Sequence, residues 1–232
     1  MNGYLLVDKP KGWTSFDVVN KIRYMAQQAG LNTTGKKRYP VGHTGTLDPL
    51  ATGLLVILLG DYTKRAPELT KLDKTYDVTM RLGISSTTGD EEGQKTQVSE
   101  KVPTKDQTLT VLSQFEGTIE QTPPAYSAVK INGQRAYKLA REGKEVKLEP
   151  RKVTIKRLQM TGYIYPEVKF SAEVSSGTYI RSLVEDIGKK LETGAYMCDL
   201  RRIKVGSFDI NDSSQMEGLT AEIIYERCKT LD

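Results

Sequence analysis

The apolar positions fall into short runs whose spacing changes along the chain. Leu54 to Leu59 is the longest unbroken apolar run. It suits a strand buried on both faces and is far short of the ~20 residues a membrane helix needs. Tyr4 to Val7 predicts a short apolar strand, closed by a Lys9-Pro10-Lys11-Gly12 turn. Tyr76, Val78, Met80 and Leu82 alternate with polar neighbours, and so do Val168, Phe170, Ala172 and Val174. That period of two predicts strands with one buried face. Ile203, Val205 and Phe208 predict a last central strand.

Helical spacing takes over elsewhere. Thr14 and Asp17 form a capping box ahead of Val18, Val19, Ile22 and Met25, a helix that stops by Gly30. Thr104 and Gln107 repeat the signal for a helix that turns Leu109, Leu112 and Phe115 inward and ends at Gly117. After Gly177, the side chains Ile180, Leu183, Ile187 and Leu191 share one side, with Gly194 as the stop. Residues 219–228 predict a terminal helix. The polar stretch 84–102 reads as a long loop or ragged hairpin, and residues 31–40 as a mobile surface loop. Strands neither cluster nor alternate strictly with helices, which predicts an α+β fold with a mixed, largely antiparallel central sheet and flanking helices. No repeat, low-complexity tract or linker divides the chain. It reads as a single domain over 1–232.

Composition narrows the function classes. Hydrophobic residues make up 38% and charged residues 27%, the range of folded globular proteins. Two cysteines, Cys198 and Cys228, and one histidine, His43, leave no disulfide framework, thiolate zinc site or multi-histidine metal site. The expectation is chemistry without metal or cofactor, in a reducing cytoplasm. The N-terminus lacks the order of a signal peptide, and no membrane association is expected. Net charge is +5, and its distribution is uneven. Between Tyr126 and Arg157 ten basic residues, Lys130, Arg141 and Lys152 among them, face only three acidic ones, so the rest of the chain is slightly acidic. The basic stretch 126–152 is a protruding element on this reading. Charge alone leaves it open between a phosphate-binding surface and a solvated face.

The segment Gly42-His43-Thr44-Gly45-Thr46-Leu47-Asp48-Pro49-Leu50-Ala51-Thr52-Gly53 is the strongest candidate for chemistry. Its glycines permit turns that side chains forbid, and Pro49 pushes Asp48 toward an extended backbone. A carboxylate on such a loop, just ahead of a buried strand, is either a turn-forming residue or a pre-organised reactive group.

The same segment resembles the signature of the TruB-type tRNA pseudouridine synthase family. Lys9-Pro10-Lys11-Gly12-Trp13-Thr14-Ser15 resembles that family's N-terminal motif, Lys74-Thr75-Tyr76 its tyrosine strand, and Pro124-Ala125-Tyr126-Ser127-Ala128-Val129-Lys130 its mid-chain segment. Ser176-Gly177-Thr178-Tyr179-Ile180-Arg181-Ser182-Leu183 resembles its arginine motif and Leu200-Arg201-Arg202 its late motif. The resemblance implies a pseudouridine synthase fold acting as a monomer on the T arm of tRNA, at uridine-55, by base flipping. It implies Asp48 as catalytic aspartate, Tyr76 stacked on the target base, and Arg181 paired with the aspartate. It implies His43 against the displaced stem, Lys9 and Pro10 shaping the pocket, and Leu200 as an apolar wall. Many family members continue into a C-terminal RNA-binding PUA module, which this chain, ending at Asp232, is expected to lack. The RNA grip then falls on the 126–152 segment and loop 31–40. Two other classes remain in view: a non-catalytic RNA-binding module and a uridine N-glycosidase.

Overall fold

The computed structural model describes every residue except Thr34, Lys36, Asn132 and Asp232. The predicted loop 31–40, the basic stretch 126–152 and the predicted domain 1–232 therefore lie partly outside the described residues.

In chain order the elements are β1 (Gly3–Lys9), α1 (Ser15–Gln28), β2 (Val41–His43), β3 (Thr52–Leu59), α2 (Ala66–Leu69), β4 (Lys74–Leu82), β5 (Ile84–Ser86) and β6 (Lys95–Gln97). There follow α3 (Lys105–Ser113), β7 (Gly117–Gln121), β8 (Lys130–Ile131), β9 (Gln134–Arg135), α4 (Ala136–Arg141), β10 (Arg151–Ile164) and β11 (Glu167–Val174). The chain closes with α5 (Ile180–Lys190), β12 (Ala195–Val205), β13 (Phe208–Asp209), β14 (Ser214–Gln215) and α6 (Ala221–Arg227). The fold is mixed α+β. It divides into two compact units, Met1–Tyr76 with Leu200–Asp232, and Asp77–Asp199. Both chain crossings fall inside strands, β4 and β12, which is why no flexible linker marks the division.

In the first unit β1 and β3 pair antiparallel in unbroken register, from Gly3 opposite Leu59 to Lys9 opposite Gly53. β14 lies parallel to β1, and β12 runs parallel to β3 with Arg201 opposite Thr52 and Arg202 opposite Gly53. The apolar run of β3 serves two cores. Leu55, Ile57 and Leu59 join Val18, Val19, Ile22 and Ala26 of α1 and Ile224 of α6. Leu54, Val56 and Leu58 join Leu6, Leu69, Val205 and Phe208. A strand with partners on both faces loses the polar alternation of a surface strand. The capping box of α1 is present, Asp17 N–H donating to Thr14 Oγ1 at 3.0 Å and Thr14 N–H to Asp17 Oδ2 at 2.9 Å. Ala26, not Met25, completes its buried stripe.

Two expectations for this unit need correction. Loop 31–40 is not all surface: Tyr39 is fully buried, its hydroxyl donating to the Met1 carbonyl at 2.7 Å. One aromatic among polar neighbours carries no periodicity, so its burial had no pattern to announce it. Phe208 does not continue the last strand either. It belongs to β13, which folds back so that Phe208 faces Val205, while β12 itself begins at Ala195.

In the second unit β10 pairs antiparallel with β11 on one side and β7 on the other. The sequence pattern missed β10 because its register shifts between Ile155 and Arg157. Val153, Ile155 and Leu158 are buried, a spacing that a bulge permits and a strict period of two does not. The stretch 84–102 forms the β5–β6 hairpin, Ile84 opposite Gln97. In α3 the buried side chains are Thr108 and Leu112, whereas Leu109, predicted inward, is 39% exposed. In α5, Ile180, Leu183 and Ile187 are buried as predicted, together with Arg181 and Ser182 of the same first turn.

Candidate active site

Asp48 lies on the connection from β2 to β3, half-buried. The backbone around it is tied down on both sides. Leu47 N–H donates to Ser15 Oγ at 2.8 Å, and that hydroxyl donates to the Leu47 carbonyl at 3.2 Å. Ala51 N–H closes a turn on the Asp48 carbonyl at 3.1 Å, and the Pro49 carbonyl accepts from Gly12 N–H at 2.8 Å. Gly53 has φ +105°, and a Cβ there would lie 2.3 Å from the Arg202 carbonyl. Only glycine lets β3 and β12 come this close.

Three buried cations surround this loop. The Lys9 ammonium donates to the carbonyls of Trp13 at 2.7 Å, Pro10 at 3.0 Å and Pro49 at 3.4 Å. Burial lowers its pKa to about 8, the neighbouring Asp48 carboxylate pulls the other way, and the Arg202 guanidinium adds to the lowering. Asp48 and Lys9 are thus electrostatic neighbours. Lys74 shares the buried face of β4 with Tyr76 and donates to the carbonyls of Thr70 and Leu72. Burial first, then Arg202, brings it to about 8 as well. Arg202, 1% exposed, donates through Nε to the Leu54 carbonyl at 2.7 Å and through Nη2 to the Gly45 carbonyl at 3.1 Å.

His43 is half-buried at the end of β2, where its Nδ1 accepts from Gly45 N–H at 3.2 Å. The neutral ring therefore carries its proton on Nε2. Burial, and then the Arg202 charge, hold the imidazole below its ordinary pKa, so it is neutral near pH 7. Pro10 is half-buried beside Lys9, and Tyr76 and Leu200 are both buried in the same unit. Next to Leu200, Arg201 makes a two-pronged pair with Asp8 at 2.7 and 3.0 Å, and Gln215 Nε2 donates to the same carboxylate at 3.0 Å. Of the residues singled out from sequence, the structure joins Lys9 and Asp48 through charge and seats His43 on the same loop. Asp8 was not singled out from sequence, and Lys74 and Arg202 entered only as members of motifs, because the partners that give each its place lie far along the chain or on the backbone.

Arg181 sits in the first turn of α5, in the second unit. Its guanidinium donates to the carbonyls of Tyr126 at 2.8 Å and Thr88 at 3.1 Å, and pairs with Asp90 at 3.4 Å, both side chains buried. The start of α5 is held by Gln121, which accepts from Tyr179 N–H at 2.8 Å and donates to the Tyr179 carbonyl at 3.1 Å. Asp90 accepts in turn from the Thr88 hydroxyl and from Glu92 N–H. Asp90 was missed from sequence, where it sits in the polar stretch 84–102. One turn after Arg181, burial raises the Glu185 carboxyl above its ordinary pKa.

The basic stretch is partly ordered into the β8–β9 hairpin and α4. Tyr137 N–H donates to the Ser127 carbonyl at 3.0 Å, and Ala136 N–H to the Val129 carbonyl at 2.8 Å. Lys130, Arg141 and Lys152 are all exposed. Lys130 pairs across the hairpin with Arg135, Arg141 lies 5.7 Å from the Tyr137 ring, and Lys152 stands opposite Glu120. Among the described residues, no group of three or more His, Cys, Asp or Glu side chains is placed to hold a metal ion. No helix among them is long and apolar enough to cross a membrane.

Comparison with known proteins bears on both units. A model described as TruB family pseudouridylate synthase (N terminal domain) matches residues 32–180. One described as tRNA pseudouridylate synthase B C-terminal domain matches residues 181–231. The chain is similar to tRNA pseudouridine synthase B of Clostridium kluyveri, 42% identical over the whole chain and 77% of that relative. It is 44% identical to that of Clostridium novyi over the same shares, and 42% identical to that of Aquifex aeolicus over 94% of this chain and 73% of the relative. Among solved structures it resembles a chain from the crystal structure of a Cbf5-Nop10-Gar1 complex, with TM-score 0.71 and 30% identity over 96% of this chain and 54% of that one. It also resembles a chain from an H/ACA RNP bound to a substrate RNA containing 2′-deoxyuridine, with TM-score 0.68 and 27% identity over 96% of this chain. It spans about half the length of those two solved chains.

Proposed function

The chain belongs to the TruB family of pseudouridylate synthases, and from that premise we propose that it isomerises uridine-55 in the T arm of tRNA to pseudouridine. As a tRNA pseudouridine synthase it is an isomerase. The reaction breaks the bond from N1 of uracil to ribose C1′, turns the base, and forms the bond from C5 to C1′. The C5 proton leaves and N1 ends protonated, so no electron, water or phosphate is consumed. That balance asks for a carboxylate and a base-holding pocket, and needs neither metal nor cofactor. The observation that carries the reading is the Asp48 loop, a carboxylate on a backbone pinned by Ser15, Gly12 and Lys9 and next to a buried ammonium.

In this reading Asp48 is the catalytic group, as nucleophile or base, and its charge is favoured by the cations beneath its loop. The target nucleotide is extruded from the RNA fold at a cost of about a few kcal/mol. Tyr76 is the ring proposed to lie against the flipped uracil, and Leu200 an apolar wall. Lys9 and Pro10 shape the pocket, and neutral His43 with its Nε2 proton holds the displaced stem. Arg181 is assigned as the guanidinium supporting the ionised aspartate, an assignment resting on its motif. Lys130, Arg141 and Lys152 are proposed to grip phosphates. The enzyme is proposed to act as a single catalytic domain and a monomer, in the cytoplasm.

The test is to map pseudouridine, position by position, in unmodified tRNA incubated with the protein. One new pseudouridine at uridine-55, with RNA mass unchanged, supports the reading. Release of free uracil would make the protein a glycosidase, and binding without either product a non-catalytic module.

A further inference from the structure

Arg202 is the largest side chain buried to this extent in the molecule, and its position is costly. Taking a guanidinium out of water is strongly unfavourable unless something answers it, and an apolar side chain of similar volume is often as stable or more so. What answers Arg202 is backbone. Its Nε and Nη2 lie on one edge of the planar group and reach two separate carbonyls, Leu54 at 2.7 Å and Gly45 at 3.1 Å. Those carbonyls mark the exit and the entry of the loop that carries Asp48. Gly53 lets β3 lie directly against the backbone of Arg202, since a Cβ there would stand 2.3 Å from its carbonyl oxygen, and Gly45 lies in ordinary contact distance of the guanidinium. Lys9, Lys74 and His43 all feel its charge, and all three are basic groups. No carboxylate among the described residues forms an ion pair with it.

We propose that Arg202 is a positioning residue for the reaction. Its fork clamps both ends of the Asp48 loop to β12, fixing where the carboxylate points, while its uncompensated charge leaves the ground beneath the loop positive. A lysine has the charge but no rigid fork to span two carbonyls, and a methionine has neither. The inference rests on the assignment of Asp48 as catalytic group. It goes beyond that assignment by naming what aims the carboxylate.

The experiment compares Arg202→Met, Arg202→Lys and Asp48→Asn with the unaltered protein. Single-turnover pseudouridine formation, filter-binding affinity for the same tRNA and melting temperature are measured for each. A misaimed reactive group costs about 100-fold in rate. Arg202→Met is therefore expected to slow the chemical step by about 10- to 100-fold with tRNA affinity held within about twofold, and Arg202→Lys to fall between it and the unaltered protein. An unchanged rate in Arg202→Met overturns the proposal. So does a loss of rate and affinity together, in step with melting temperature, which is the mark of a merely structural arginine. Should the methionine variant not fold, the lysine variant decides alone: a slower chemical step at unchanged affinity supports the clamp, and a normal rate overturns it. Asp48→Asn separates the two ideas, since activity surviving there sinks the Asp48 assignment whatever Arg202 does.

Discussion

Around Arg181 a buried guanidinium meets a buried carboxylate, Asp90, and two carbonyls, and the local charge is largely cancelled where it arises. Beneath the Asp48 loop the hydrogen bonds of Lys9, Lys74 and Arg202 all go to backbone carbonyls. Carbonyl dipoles satisfy donors without cancelling charge, so the second arrangement leaves a positive potential that is offset only by carboxylates at a distance, Asp48, Asp17 and Asp8 around Lys9 and Asp73 beside Lys74. A neighbouring cation favours the ionised form of a carboxylate. In the first region a cation is seated by a carboxylate and backbone together, and in the second the cations are seated by backbone alone.

The most severe way to break the comparison is Asp48→Asn, which keeps size and most hydrogen bonding but removes the charge for which the potential exists. Turnover is expected to fall by about three orders of magnitude or more, with little change in tRNA affinity. Stability is expected to move by about 1 kcal/mol or less, since Pro49 and the glycines are untouched. Single-turnover rates beside filter binding decide it, and near-normal turnover would remove Asp48 from the mechanism.

Asp90→Asn attacks the cancelled region instead. It takes Asp90 away from the buried Arg181, and breaking a buried pair in this way costs about 3–5 kcal/mol. The expected outcome is a lower urea midpoint and a turnover reduced by about tenfold or more, because Arg181 is no longer held. If stability and rate are both unaffected, Asp90 is not what seats Arg181.

A pH titration reads the uncancelled region directly. Lys74, like Lys9, has a folded pKa of about 8, below the ordinary lysine value of 10.5. Between those values the unfolded chain binds the proton and the folded one does not, so this contribution makes stability rise with pH from about 8 to about 10.5. The difference in unfolding free energy between the unaltered protein and Lys74→Met should grow through that window. A flat difference would mean that Lys74 is hydrated enough to keep its ordinary pKa.

The smallest effect belongs to the surface. Neutralising Lys130, Arg141 and Lys152 together should weaken tRNA binding and flatten the slope of log K against log salt, by up to ~0.9 for each duplex phosphate that no longer meets a cation. An unchanged slope would return these residues to the status of a solvated face.

The parts of this design that were legible in the sequence are the local ones. The capping boxes at Thr14 and Thr104 and the alternation through Tyr76 and Met80 depend on neighbours a few residues away, and so do the glycine and proline constraints on the Asp48 loop. Arg202 was not legible, because its contact with Gly45 spans 157 positions and nothing local distinguishes it from Arg201, whose side chain goes to Asp8 instead. Adjacent strand residues point to opposite faces, so two consecutive arginines necessarily serve different partners. Which faces which is decided by the parallel pairing of β12 with β3, a tertiary fact. Asp90 escaped for a similar reason, as its partner lies on a helix far along the chain.

The double burial of β3 carries one more consequence, for how the protein breathes. The strand that leaves the Asp48 loop is shared by two hydrophobic layers, so the loop's exit cannot be loosened without disturbing both. Local openings draw on segments with few such ties, and this one has many. The amide hydrogens of Leu47 and Ala51 should therefore exchange with solvent deuterium almost as slowly as those of Leu55 and Ile57, at the pace of cooperative unfolding. Where substrate and enzyme must adapt to each other, the yielding then falls chiefly to the nucleic acid.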